Sequence, residues 1–214
     1  MLTAIVQAAI SSFHGAEFTW LEKCPVCGGP VQGYDTRTKK YAVIRDGTEE
    51  RAITVRVKRF TCRKCNRLCN ACEPFYPGTR IGSLVVDLFY TFSATMPASR
   101  AARLIDAMGI RVDRTSWKNY TGRPVPEIPT MEIFGMRLPS SVLTLSNIAA
   151  RIPDGGRVEG IEALAACGYP SMFRPETGTV EMKVQEEPAR VTASPLHHGL
   201  QAEPAKQQAE TGSS

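Results

Sequence analysis

The chain has 214 residues, of which 43% are hydrophobic and 22% charged, enough apolar content to bury a core and to exclude a globally disordered polymer. Its net charge of +5 is unevenly placed: residues 31–124 carry 18 Lys and Arg against 8 Asp and Glu, whereas residues 125–214 carry 7 against 11. A cationic middle between acidic ends favours a polyanionic partner, and no run approaches the roughly 18 apolar residues that a membrane span needs.

Six of the seven cysteines form three C-x-x-C pairs, a spacing suited to metal ligation more than to a disulfide framework. The N-terminus lacks the basic leader of a secretory signal, and Gln7 interrupts its apolar run. Reduced thiols and a cytoplasmic location follow as expectations.

In chain order, Thr3–Phe13 has the composition of one short helix, closed by His14-Gly15. From Lys39 to Phe60 the pattern has period two. Two runs rich in Val, Ile, Thr and Tyr flank Asp46-Gly47, which predicts a β-hairpin. In the second run Ile53, Val55 and Val57 alternate with Thr54, Arg56 and Lys58, giving one apolar and one basic face. Beyond the turn-prone FYPG at 75–78, helical periodicity marks one helix over Gly82–Phe92 and a second through Ala101, Leu104, Ile105 and Met108. Gly109 closes the second helix, Asp113 is a good N-cap, and a short third helix runs to Tyr120 before Pro124 and Pro126. SSVLTLSNIAARI and RVEGIEALAACG support two more helices, and the Pro-, Glu- and Gln-rich stretch from Phe173 predicts a disordered tail. The expected organisation is α+β: an N-terminal helix (1–20), a zinc ribbon (21–78), a helix-turn-helix (79–124), a short helical segment (125–172) and the tail (173–214).

The strongest signal is CPVCGG at 24–29 with CRKCN at 62–66. Each knuckle supplies two thiolates from one tight turn, so Cys24, Cys27, Cys62 and Cys65 complete the tetrahedral shell of Zn2+. Gly28 and Asn66 are suited to the left-handed turn that frees N–H groups to face the sulfurs. The predicted hairpin accounts for the long gap between the knuckles, because it leaves and returns to the same place. Cys69 and Cys72 admit four readings: replacing one pair, a second metal with water or Glu73, a labile disulfide, or an incidental part of the connector. Cys167 reads as a small buried hydrophobe.

Arg56, Lys58, Arg59, Arg63, Lys64 and Arg67 cluster on the second strand and its knuckle, a single-sign run suited to phosphate contact. On the third helix Trp117 and Tyr120 stand at i, i+3 as an inward face. Arg114, Thr115, Lys118 and Asn119 are then left outward, side chains suited to base edges and phosphates. A plain three-helix packing unit with a solvated polar face is the bland alternative.

The order CPVC…CRKC, TVRVKRFTC, then SRAARLIDAMGIRVDRTSWKNY resembles the N-terminal DNA-binding region of insertion-sequence transposases, over about residues 21–124. That resemblance implies a zinc-binding Cys24/Cys27/Cys62/Cys65 site and a helix from Arg114 to Tyr120 that reads a terminal repeat. Such transposases continue into an RNase H-like domain with two-metal carboxylates, for which the remaining ninety residues leave no room. The resulting expectation is a non-enzymatic, nucleoid-associated protein that binds double-stranded DNA, either a transposase relic or a stand-alone regulator. Self-association as a homodimer, or contact with a transposase or transcription complex, fits the same outline. A zinc-ribbon adaptor for such a complex is the competing reading, and a thiol-disulfide enzyme a more distant one, because the C-x-x-C pairs lack a βαβ setting.

Overall fold

The computed structural model describes residues 1–113, 116–117, 120, 127–152 and 158–167. The chain runs α1 (Leu2–Ser11), β1 (Glu17–Phe18), β2 (Val31–Asp46), β3 (Glu49–Cys62), β4 (Leu68–Asn70), α2 (Ser83–Ser93) and α3 (Ala98–Ala107). It continues through β5 (Thr130–Ile133), β6 (Met136–Pro139), α4 (Ser140–Arg151) and α5 (Gly160–Ala166). The expected α+β class holds, and no helix among the described residues is long and apolar enough to cross a membrane.

The β2–β3 hairpin organises everything else, and it is longer than its alternating pattern suggests. Pairing extends from Asp46↔Glu49 at the turn to Val31↔Cys62 at the far end. The loop is Gly47-Thr48, one residue later than the Asp46-Gly47 signal indicates, and Gly47 has φ 60, as the first loop position of a type II′ hairpin requires. Between Lys40 and Ala42, β2 carries one residue more than β3. This bulge lets the adjacent residues Tyr41 and Ala42 both bury, which strict alternation forbids. Tyr41 then serves as a hub: its ring stacks on Phe13 at 4.3 Å and meets Phe75 edge-on at 5.8 Å. Its Oη accepts the Leu84 N–H at 3.3 Å and so caps the start of α2.

β3 is the central strand. One edge pairs with β2; along the other lie β1, parallel at Glu17↔Arg56, and β4, antiparallel from Arg59↔Asn70 to Thr61↔Leu68. Ile53, Val55 and Val57 face the core, as their alternation predicts. Against this sheet packs α2, buried nearly all round through Leu84, Val85, Leu88, Phe89 and Phe92. Its one buried carboxylate, Asp87, accepts the Tyr76 hydroxyl.

The end of α3 follows the expected chemistry. Gly109 has φ 77, and the chain then lies along the outer edge of β2, with the Arg45 N–H on Gly109 O at 2.6 Å and the Arg111 N–H on Val43 O at 2.9 Å. Ser116, Trp117 and Tyr120 are helical. Trp117 stacks on Phe89 at 4.3 Å and Tyr90 Oη donates to Tyr120 O at 2.7 Å, so the expected inward face is observed. Arg114, Thr115, Lys118 and Asn119 lie outside the described residues, as does the expected tail at 173–214.

The segment 125–172 is not helical throughout. Its helices α4 and α5 are preceded by the β5–β6 hairpin, whose turn residues Phe134 and Gly135 have φ 52 and 71, the positive pair of a type I′ turn. Here α4 lies along α1, β6 against α2 and α5 against β1. One core therefore runs from Val6 to Cys167, and the knuckles and β4 contribute a separate small cluster of Cys24, Cys62 and Cys69.

Candidate metal centre

The knuckles close the end of the hairpin remote from its turn, and they are two copies of one backbone turn. In the first, the Gly28 N–H donates to Cys24 O at 2.9 Å and the Cys24 N–H to Gly29 O at 2.9 Å. In the second, the Asn66 N–H donates to Cys62 O at 3.0 Å and the Cys62 N–H to Arg67 O at 2.9 Å. Gly28 and Asn66 have φ 67 and 55, the left-handed conformation expected of both. These turns aim N–H groups at sulfur. That of Lys64 reaches Cys62 Sγ at 3.3 Å, those of Val26 and Cys27 serve Cys24, and that of Gly29 serves Cys27. Gly29 itself is required by close approach, since a Cβ there would stand 2.7 Å from Lys64 Cβ and 3.2 and 3.3 Å from the sulfurs of Cys62 and Cys27.

The Sγ atoms of Cys24, Cys27, Cys62 and Cys65 all lie within 4.8 Å of one another, with Cys27–Cys62 at 3.5 Å and Cys24–Cys65 at 3.7 Å. A tetrahedral ion with metal–sulfur bonds of about 2.3 Å holds its sulfurs ~3.8 Å apart. The four thiols can therefore hold a metal ion with little more than rotamer adjustment, and they are the four that the sequence spacing singles out. Among the described residues this is the one such group of ligands.

Four thiols this close cannot ionise independently. At Cys24 burial opposes ionisation, but the N–H groups of Val26 and Cys27 and the hydrogen bonds of Cys65 and Cys62 outweigh it and bring the thiol down to about 6. Cys62 is also lowered, chiefly by the N–H groups of Cys65 and Lys64 against the opposing effect of burial. Cys27 has the Gly29 N–H to favour its thiolate, yet Cys65, burial, Cys62 and Cys24 push it up to about 12. The cluster is thus poised to give up its first protons readily and its last only to a cation.

Cys69 and Cys72 part company. Cys69, on β4 opposite Phe60, puts its Sγ 3.8 Å from Cys24 Sγ, and Cys24, Cys62 and Cys69 form a small buried cluster flanked by Leu21 and Val31. Cys72 stands apart: its N–H donates to Trp20 O at 2.9 Å, and burial raises its thiol. Glu73 is engaged by Lys39 at 2.6 Å and by Asn70 at 2.8 Å.

The six cations expected to touch phosphate divide in two. Arg56 pairs with Glu17 at 2.5 Å, Arg59 pairs with Asp35, and Lys58 lies over the Phe60 ring at 5.5 Å. The Arg59 guanidinium holds the Asp35 carboxyl below its ordinary range. By contrast Arg63, Lys64 and Arg67, all on the second knuckle, are exposed and carry no ion pair among the described residues; Arg63 reaches only Gln32 Oε1, at 3.3 Å. Comparison with protein-family models, curated proteins and solved structures finds no match for this chain.

Two clefts escape the sequence reading. One, of about 560 Å³, gathers Lys40, Arg80 and Arg111 around Tyr41, Ser116 and Tyr120. These cations come from β2, the loop before α2 and the segment after α3, so no run in the sequence announces them. The other, of about 530 Å³, is apolar and lies between the end of β1 and α5. Trp20 and Ile161, 41% and 58% exposed, line it.

Proposed function

We propose that this chain is a zinc-stabilised, non-enzymatic protein that binds double-stranded DNA, either a transposase-related DNA-binding fragment or a stand-alone regulator. The observation that carries the reading is the exposed cationic rim of the candidate metal centre, which has no ion pair among the described residues. Arg63, Lys64 and Arg67 crowd the second knuckle, and Arg37 on the neighbouring stretch of β2 is exposed with no ion pair among the described residues. Zinc suits four thiolates in a tetrahedron, and the closed shell leaves no position for substrate, as in a structural site. A zinc ion with four thiolates carries a net charge of −2, which the rim offsets while its outer side stays free for phosphate. The polar cleft toward the helical residues Ser116 and Tyr120 adds Lys40 and Arg80 to the cationic surface, while its Arg111 is paired with Glu50 and Asp106, and Asp113 shares the lining. In this reading Arg114, Thr115, Lys118 and Asn119 read base edges in the major groove, and Arg56, Lys58 and Arg59 act mainly as the rim's support.

The test is duplex affinity against salt. Binding should weaken steeply with rising salt, and the Arg63→Ala/Lys64→Ala/Arg67→Ala variant should flatten the slope of log K against log salt by about 2–3. A salt-insensitive affinity, or an unchanged slope in the triple variant, overturns the phosphate role. Arg114→Ala/Lys118→Ala should weaken specific binding more than nonspecific binding.

The apolar cleft favours a second reading, in which the chain is an adaptor for a transposase or transcription complex. Nuclease-insensitive binding to a purified polymerase or transposase subunit, abolished by Trp20→Ala in a chain with no measurable duplex affinity, would establish it in place of the first.

A further inference from the structure

The metal centre has one thiol too many. Cys24 Sγ has Cys65 Sγ at 3.7 Å and Cys69 Sγ at 3.8 Å, both at the ~3.8 Å edge of a tetrahedral thiolate shell. Cys65 belongs with Cys24, Cys27 and Cys62 to the set of sulfurs within 4.8 Å of one another, whereas Cys69 lies outside that set, shares the Cys24 edge and the buried cluster with Cys62, and would reach the vertex only by a side-chain shift. Cys69 is 6% exposed, and the β3–β4 ladder fixes its backbone through Phe60↔Cys69 and Thr61↔Leu68. Its Sγ lies 3.8 Å from Cys24 Sγ and also 3.8 Å from Arg67 O. Cys65 is the more accessible, half-buried on the knuckle. On a backbone fixed by the ladder the Cys69 side chain has only the staggered χ1 positions to choose from. Its sulfur lies beside the ligand that Cys65 also faces.

Resting on the reading of the quartet as a metal centre, we propose that Cys69 is a reserve ligand that takes the Cys65 vertex when Cys65 is lost or chemically blocked. The exchange is balanced: the metal–sulfur bond to Cys65 breaks and one to Cys69 forms. The Cys69 thiol proton passes to the departing Cys65 thiolate or, where Cys65 is already capped, to water. The ion keeps four thiolates and the site keeps its charge. Zinc has no electronic preference in geometry, so a transient fifth ligand meets little resistance. The consequence is a centre that survives modification of its most accessible sulfur.

The test uses the full chain and its Cys65→Ser, Cys69→Ser and double variants, loaded with zinc for stoichiometry and with Co2+ for the sulfur-to-cobalt charge-transfer band, whose intensity counts thiolates. Wild type and Cys69→Ser should each hold one ion with four thiolates. Cys65→Ser should also hold one ion with four thiolates, at an affinity lowered by about 10–100-fold, and the double variant should show three or lose the ion. A Cys65→Ser protein that matches the double variant, whether through a three-thiolate spectrum or failure to fold with metal, overturns the proposal. A wild-type chain that holds no ion sinks the underlying metal reading instead, a different outcome. A second measurement needs no ligand variant: alkylation of Cys65 in the zinc-loaded wild type should leave zinc bound, whereas in Cys69→Ser it should release zinc. Equal release from both also overturns the proposal.

Discussion

The two ends of the β2–β3 hairpin belong to the same strands and are held by different physics. Toward the turn, Tyr41, Ala42, Ile44, Ile53 and Val55 are buried in the same core as residues of α1 and α2, a core that reaches Cys167. Toward the knuckles, β2 is exposed at every residue from Gln32 to Thr38, and the local core is three cysteines with Leu21 and Val31 at its border. Apolar burial can hold the first end by itself. A cluster this small cannot repay the entropy of ordering two knuckles and a third strand, so on the proposed reading the second end depends on a metal–thiolate shell.

Chelation should therefore break the molecule unevenly, and this is the largest effect expected. Binding a structural metal to such a shell is worth roughly 10–16 kcal/mol at neutral pH. Its removal should abolish amide protection in β4 and both knuckles while leaving α2 protected and the helical circular dichroism largely intact. Hydrogen exchange on the apo protein checks this. Loss of protection in α2 to the same extent would mean that the two ends form one cooperative unit, and unchanged protection of β4 would mean that the metal is not what orders it.

The converse break is at the hub of the apolar end. Tyr41→Ala removes a ring with no exposure and two aromatic partners, which should cost about 3–5 kcal/mol, whereas Tyr41→Phe, which takes the hydroxyl from the Leu84 N–H and the Ser83 side chain, should cost about 1 kcal/mol. Denaturant titration of the metal-loaded chain measures both. If the ends are independent, the metal stoichiometry of the folded Tyr41→Phe protein is unchanged.

Adjacent glycines sharpen the comparison at the metal end. Gly28 has φ 67 and open space around its missing Cβ, so Gly28→Ala should cost only the left-handed strain of about 1–2 kcal/mol. Gly29→Ala would drive a Cβ among Lys64 and two sulfurs, and should lower metal affinity by at least about tenfold. Competition with a chelator separates the two, and equal losses would show that crowding at the thiols is not what Gly29 relieves.

How much of this was legible in the sequence follows the same divide. Ligand types and turn residues are local, so CPVCGG and CRKCN suffice to find Cys24, Cys27, Cys62, Cys65, Gly28 and Asn66. Period-two alternation found the apolar half of the hairpin but not Gln32–Thr38, because a strand exposed on both faces has no pattern to show. The bulge at Tyr41 hid the register for a related reason: two neighbouring buried residues look like neither a strand face nor a helix face. The β5–β6 hairpin turns through Phe134-Gly135, and a bulky aromatic at positive φ is not a recognised turn signal. Cys69 was visible as a residue but its position was not, since only the β3–β4 pairing brings it to Cys24.

The smallest effect expected tests whether the apolar end can be adjusted without touching the metal. Thr91 and Ser93 on α2 bury hydroxyls that have no hydrogen-bond partner among the described residues. A buried hydroxyl without a partner loses its hydration and gains nothing in return. Thr91→Val exchanges that hydroxyl for a methyl of similar size on an already β-branched side chain, so it should stabilise the protein by up to about 1 kcal/mol. Its melting temperature should rise while the affinity of the thiol quartet for metal stays unchanged. A destabilised Thr91→Val protein would instead mean that the hydroxyl is satisfied in solution, by a buried water or by a rotation of the helix. A shift in metal affinity would mean that strain in α2 reaches the knuckles through Tyr41 and the hairpin they share.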